Sequence, residues 1–264
     1  MAVDLSLAMI AATVKIEQAQ PGGNLSILGT GFLVNDPKPD GAPRIVLVTA
    51  NHVFQNMPGQ VASIDYRLPQ PGGAWKLSPQ PLPIRSGPSL LWVKDPVEDV
   101  AVIAVQAPPE FARAAIPLSW LADAADYTDL GIQPGDEMFA LGYPDNYASN
   151  HEDFPILSAG HVASYPLVTV PTYLQFMLDA RTYPGNSGGP VFLASPLQRR
   201  PGSPLAGSPY VTGMVVSVAE KYQWAFVVES TAIRRAIAEL DRAPAAAAPD
   251  AQGFTLLPAQ PARP

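Results

Sequence analysis

The run Gly185-Asn186-Ser187-Gly188-Gly189-Pro190 constrains this 264-residue chain more than any other stretch. Five of its six residues are glycine, proline or a small turn former, and such a run bends the backbone tightly. At its centre sits one hydroxyl, on Ser187. On a sharp turn between two strands, that Oγ can project into a cleft while the amides of Gly185 and Ser187 converge on one point. Acyl transfer needs this pairing of a nucleophile with donors aimed at the oxygen that becomes negative. An ordinary hairpin turn is the alternative, so the reading depends on partners elsewhere in the chain.

A serine nucleophile needs a base, and the chain has only three histidines. His52 falls just past the apolar run Ile45-Val46-Leu47-Val48-Thr49-Ala50, which places its ring at a cleft edge. His151 lies in the polar stretch Asn150-His151-Glu152-Asp153 and reads as a solvated residue; His161 reads as a strand or bulge residue. His52 is therefore the candidate general base. The base in turn needs an orienting carboxylate. Glu98 and Asp99 directly precede the apolar run 100–105. Asp99 adjoins that run and is the candidate, whereas Glu98 is expected to face water.

The rest of the chain reads as short strands broken by turns, the pattern of closed antiparallel barrels. Expected strands cover 13–17, 26–34, 45–49, 61–68, 73–77, 90–93 and 100–105, then 137–141, 154–164, 173–179, 190–193, 210–218 and 224–229. Residues 1–11 are expected as a helix or arm, 51–56 as one helical turn, and 79–88 as a proline-rich surface loop. Ser230 and Thr231 can cap a final helix whose apolar face is Ala232, Ile233, Ala236, Ile237 and Leu240. The organisation expected is a first barrel over 1–106, a linker over 107–124, a second barrel with its helix over 125–242, and a disordered Pro/Ala-rich tail over 243–264.

Four pieces together resemble the chymotrypsin/trypsin-like serine proteases: Gly29-Thr30-Gly31-Phe32-Leu33-Val34, Thr49-Ala50-Asn51-His52, Asp99-Val100-Ala101-Val102, and 185–190. The order His, Asp, Ser is that family's, and the resemblance runs from about Thr13 to Leu240. Residues 179–190 are similar to the pattern Asp-Ala-x-x-x-Pro-Gly-Asn-Ser-Gly-Gly-Pro of bacterial high-temperature-requirement proteases, although no segment the size of their PDZ module follows. The resemblance implies an all-β fold of two packed antiparallel six-stranded barrels with a short C-terminal helix. It implies peptide-bond hydrolysis through an acyl-enzyme on Ser187, with His52 as base, Asp99 orienting it and an oxyanion hole from the Gly185 and Ser187 amides. Polypeptide is the implied substrate, and no cofactor or metal is required.

By position, the resemblance implies that substrate pairs along Val215, Val216, Ser217 and Val218, although Val215 also reads as an ordinary core residue. It likewise implies that the pocket for the side chain before the cut comes from Arg181, Thr182, Val216, Ser217, Val218 and Ala225, the later strands offering small apolar walls and no acid. Cleavage after small or medium apolar residues follows, unless Arg181 enters the pocket and favours an acidic side chain. If Arg181 turns to Asp179 or to solvent, the pocket is apolar. Where animal trypsins carry Asp for an ion pair with a newly cut N-terminus, this chain carries Asn186, so activation of that kind is not expected. A trypsin-like module that no longer cuts is the competing reading, and a complete triad argues against it. The bare pattern Gly-x-Ser-x-Gly also fits esterases of the α/β-hydrolase kind, but their helix–strand alternation and their order Ser, Asp, His are missing here.

Composition narrows the partners. A net charge of −7 without a Lys/Arg cluster speaks against nucleic acid and against anionic membrane surfaces. Zero cysteines rules out disulfides, Cys–zinc sites and a thiol nucleophile. No apolar run is long enough to span a membrane, and Asp4 stands where a signal peptide favours Lys or Arg. A cytoplasmic location is expected if Met1 is the natural start, and a periplasmic or secreted one if a leader has been removed.

Overall fold

The computed structural model describes residues 4–19, 27–38, 40–165, 174–194 and 210–242. The turn read from Pro21-Gly22-Gly23-Asn24, the Pro/Gly-rich loop read at 195–208 and the tail expected from 243 lie outside these residues.

Aliphatic and β-branched runs between turn formers become short strands, as their preference for a half-buried pleated surface requires. One sheet contains β1 (Thr13–Gln18), β2 (Ile27–Asn35), β3 (Ile45–Thr49), β4 (Val61–Pro69) and β5 (Trp75–Pro83). A small hairpin follows, β6 (Arg85–Ser86) with β7 (Ser89–Leu90), and then β8 (Val93–Lys94) and β9 (Ala101–Val105) rejoin the sheet. Its order is β5-β4-β1-β2-β3-β9-β8, and β10 (Ile116–Pro117) adds to β2 in parallel, giving eight strands where six were expected. The connector thus contributes a strand of its own.

Strand β5 also corrects the loop expected at 79–88. Asp65, Ser63 and Val61 of β4 face Pro79, Pro81 and Pro83 in register. Prolines on alternate residues all lack their N–H on the same side of the strand. β5 ends the sheet order, so that side needs no ladder donor.

The second sheet comprises β11 (Glu137–Gly142), β12 (Ile156–His161), β13 (Gln175–Leu178), β14 (Pro190–Leu193), β15 (Val211–Ala219) and β16 (Trp224–Glu229). Its order is β12-β11-β14-β15-β16-β13, and a bridge between Val162 and Leu178 closes it into a six-stranded barrel. Strand β15 lies between two cores. Val215 packs inside this barrel with Met138, Val191 and Val227, while Met214 and Val216 pack with Leu47, Val102 and the other residues of the first sheet.

Helices close the ends. Among them, α1 (Leu5–Ala12), α2 (Asn51–Asn56), α3 (Pro109–Ala112) and α4 (Ala124–Asp129) precede α5 (Ser230–Glu239). Of the apolar face expected for the last helix, Ala232, Ile233, Ala236 and Ile237 are buried and Leu240 is half-buried, and Arg235 of α5 donates to both oxygens of Asp95 at 2.6 and 2.7 Å, tying this helix to the first sheet. Ser230 does not cap it. Its Oγ donates to Ala122 O at 2.6 Å, so the hydroxyl anchors the connector instead. Fully buried Arg67 on β4 donates to Ile10 O at 3.0 Å and to Tyr143 Oη at 2.9 Å, which joins α1 to the turn after β11. Among the described residues, no helix is long and apolar enough to cross a membrane.

Candidate active site

The antiparallel register of β3 with β9 sets Thr49 opposite Ala101. Two residues beyond the end of that ladder, the start of α2 meets Asp99. The first N–H groups of any helix lack intrahelical partners. Here the His52 N–H donates to Asp99 Oδ1 at 2.9 Å, and the Asn51 N–H donates to Asp99 O at 3.3 Å. The other carboxylate oxygen lies 2.6 Å from His52 Nδ1. A carboxylate at that distance holds the ring proton on Nδ1 and leaves Nε2 with its lone pair. Both side chains are about one-third exposed, 36% for His52 and 32% for Asp99, as a cleft edge requires. Trp92 Nε1 donates to Asn51 Oδ1 at 3.0 Å, which steadies the residue ahead of His52.

Glu98 is half-buried, and its Oε2 accepts from Gln175 Nε2 at 2.6 Å in a solvent-exposed bond that links the Asp99 turn to β13. Behind it, Glu229 is 1% exposed. Burial, with a smaller push from Glu98 and against a hydrogen bond from Thr231, moves the Glu229 carboxyl up to about 7.

The serine turn is built from backbone hydrogen bonds. Pro184 O accepts from Asp145 N at 2.7 Å, and Asn186 O accepts from Gly189 N at 2.9 Å. In a trans peptide the N–H points away from the C=O. Anchoring these two carbonyls therefore turns the Gly185 and Ser187 N–H groups the other way, and among the described residues neither amide has an acceptor. The peptide between them is also held: Gly185 O accepts from Thr30 Oγ1 at 2.6 Å and Asn186 N donates to Tyr183 O at 3.0 Å. Ser187 O accepts from Thr30 N at 2.9 Å, while Gly188 N donates to Val215 O at 2.8 Å. Gly188 has φ +89°, and a Cβ there would run into Thr30 O; a Cβ on Gly185, at φ +98°, would run into Tyr143 O. Asn186 Oδ1 accepts from Tyr183 N at 3.0 Å, so this buried asparagine serves the turn by a local bond. Ser187 is half-buried.

Of the residues expected to bind substrate, Ser217 is exposed and Val218 half-buried, at the stretch of β15 that has outrun β14. Val216 forms a bulge against β16 and is buried, as are Thr182 and Ala225. Arg181 is exposed. Its expected alternative partner, Asp179, pairs with His161 Nδ1 at 3.4 Å instead. His151 is exposed in its loop, as read from the sequence. Among the described residues, no group of three His, Asp or Glu side chains is placed to hold a metal ion.

Three features escaped sequence reasoning: the Thr30 contacts, the Glu98–Gln175 bond and the buried Glu229. Only Thr30 carried a signal, being the one hydroxyl inside Gly29-Thr30-Gly31, a run legible as a backbone kink.

Comparison with known proteins gives similar solved structures and a family. The active form of the Rv3671c protease from M. tuberculosis is similar in structure, with a TM-score of 0.49 and 19% identity over 89% of this chain and 82% of that one. None of the curated proteins compared matches. The family model described as the trypsin-like peptidase domain matches residues 29–195, more than half of the chain and a span that contains His52, Asp99 and Ser187. On that match, the chain belongs to the trypsin-like peptidase family.

Proposed function

We propose that this serine peptidase cleaves polypeptides through an acyl-enzyme on Ser187. His52 Nε2 takes the Oγ proton as Oγ bonds to the scissile carbonyl carbon, and the carbonyl electron pair moves to oxygen. The Gly185 and Ser187 N–H groups receive that oxyanion. Collapse expels the amine, which leaves with the proton from His52. A water molecule then repeats the sequence in reverse order and frees Ser187. Asp99 keeps the imidazole in the required tautomer and stabilises the imidazolium. The observation that carries this reading is the pair of partnerless amides on either side of Asn186, with every intervening carbonyl anchored elsewhere.

Extended substrate adds to β15 along Val216, Ser217 and Val218, where β14 no longer covers the edge. Thr182, Val216 and Ala225 bound the pocket for the residue before the cut. These walls are small and mostly apolar, and Arg181 points to solvent, so the pocket takes a small or medium apolar side chain. Residues 1–106 and 125–242 are the two units of the enzyme, joined by 107–124.

Digestion of a proteome-derived peptide library tests the reading. Cuts after Ala, Val or Leu in wild type, unchanged in Arg181→Ala and absent in Ser187→Ala, are expected. A preference for Asp or Glu that vanishes in Arg181→Ala overturns the apolar pocket, and no cutting by wild type overturns the activity.

A further inference from the structure

Thr30, on β2 of the first sheet, touches the serine turn at two alternate peptides. Its N–H donates to Ser187 O at 2.9 Å, and its Oγ1 donates to Gly185 O at 2.6 Å. The same hydroxyl accepts from Tyr143 N at 3.2 Å, so both of its hydrogen-bonding roles are used. Its carbonyl accepts from Thr49 Oγ1 at 2.7 Å, three residues ahead of His52. Thr30 and Thr49 are both fully buried, so no solvent competes for these bonds. Gly188 is kept bare by the Thr30 carbonyl lying where a Cβ would stand.

We propose that Thr30 is a positioning residue for acyl transfer: its hydroxyl holds the Gly185–Asn186 peptide so that the two oxyanion donors stay aimed at one point. The inference rests on the acyl-enzyme reading above. Loss of the hydroxyl leaves Gly185 O and Tyr143 N buried without their partner. A buried carbonyl without a donor turns to find one. When the Gly185–Asn186 peptide rotates, the Gly185 and Ser187 N–H groups lose their common aim. The backbone bonds of Thr30 to Ser187 and Thr49 survive any side-chain change, so the effect is confined to the donors and spares the alignment of the two sheets.

Thr30→Val keeps the shape and removes the hydroxyl, while Thr30→Ser keeps the hydroxyl. The experiment follows pre-steady-state acylation by a small activated ester, the affinity of a peptide aldehyde that forms the tetrahedral adduct, and the backbone amide NMR shifts of Gly185 and Ser187 in the resting protein. In Thr30→Val, acylation slows roughly ten- to a hundredfold, the size of effect that a small misplacement of catalytic groups produces. KM for the ester stays within about twofold, the aldehyde binds correspondingly more weakly, and both amide shifts move. Thr30→Ser restores all of them. Wild-type acylation in a folded Thr30→Val overturns the proposal, and so does a Thr30→Ser variant as slow as Thr30→Val, because the methyl group is then what matters. If Thr30→Val does not fold, Thr30→Ala takes its place; failure of both to fold assigns Thr30 to stability and overturns the positioning role. The amide shifts separate the two readings: moved shifts with no acylation in wild type refute the enzyme reading while the hold by Thr30 stands.

Discussion

The two halves of the candidate site are made of different material. On the first sheet, the candidates His52 and Asp99 meet through their side chains, each about one-third exposed, at a rim where two strands end. On the second barrel, Ser187 offers one hydroxyl and most of the rest is backbone: four anchored carbonyls, two outward N–H groups and glycines that no side chain can replace, with Asn186 Oδ1 and Thr30 Oγ1 as side-chain braces. The first half can therefore lose function without losing shape. The second can do so only by losing the Ser187 hydroxyl, because the rest of its chemistry is its shape.

Single substitutions sharpen this contrast, and Ser187→Ala has the largest expected effect. It lowers kcat on the order of a millionfold while leaving thermal stability near wild type, since the backbone bonds remain. Matched activity and melting curves check this. Asp99→Asn comes next, at roughly ten-thousandfold in kcat, because the amide favours the wrong imidazole tautomer. Here too the melting temperature is expected to hold. Gly188→Ala breaks the comparison from the other side: it combines a strained positive φ with a clash against Thr30 O. It costs on the order of 3 kcal/mol of stability as well as activity, so a Gly188→Ala protein with normal stability and no activity contradicts the account of the serine turn.

That asymmetry also explains what was legible in the sequence. Side-chain chemistry announces itself, so His52, Asp99 and Ser187 stand out as candidates from their neighbours, and the strand pattern around them follows from apolar runs and turn formers. Hydrogen bonds that a distant segment makes to backbone carbonyls leave no such trace. Thr30 Oγ1 and Gly185 O are 155 residues apart, and nothing local marks them as partners. The strand expected at 73–77 was cut short of β5's end because three prolines normally signal a loop; their alternate spacing on an edge strand makes them compatible with pairing. Ser230 was misread because a helix N-terminus favours a capping serine, yet the carbonyl of Ala122 lies closer to hand. The place of Arg181 depends on whether Asp179 is free, and His161 had already taken that carboxylate.

Smaller effects probe the edges of the site. Ser217→Pro removes a backbone donor from the open stretch of β15, so KM for long peptides rises about tenfold or more while acylation by a small ester stays near wild type. Equal loss on both substrates points to misfolding. Glu229 gives the gentlest test. Its carboxyl titrates near 4.5 when exposed and at about 7 in the fold, where burial disfavours the charge. Between those values the unfolded chain releases a proton that the folded protein keeps, so this residue's stabilising contribution is complete below 4.5 and is lost as the pH rises through 7. Glu229→Gln is thus expected to match wild type at pH 4 and to be more stable at pH 8 by on the order of 2 kcal/mol, read from melting curves at both pH values.

The claim that the two halves meet to activate one hydroxyl is tested most directly by a fluorophosphonate probe with peptide mass spectrometry. The account predicts one adduct per chain, on Ser187, formed by the wild-type protein without prior trimming and slowed at least a thousandfold in His52→Ala. Labelling at another residue, or labelling of Ser187 that is equally fast without His52, contradicts it.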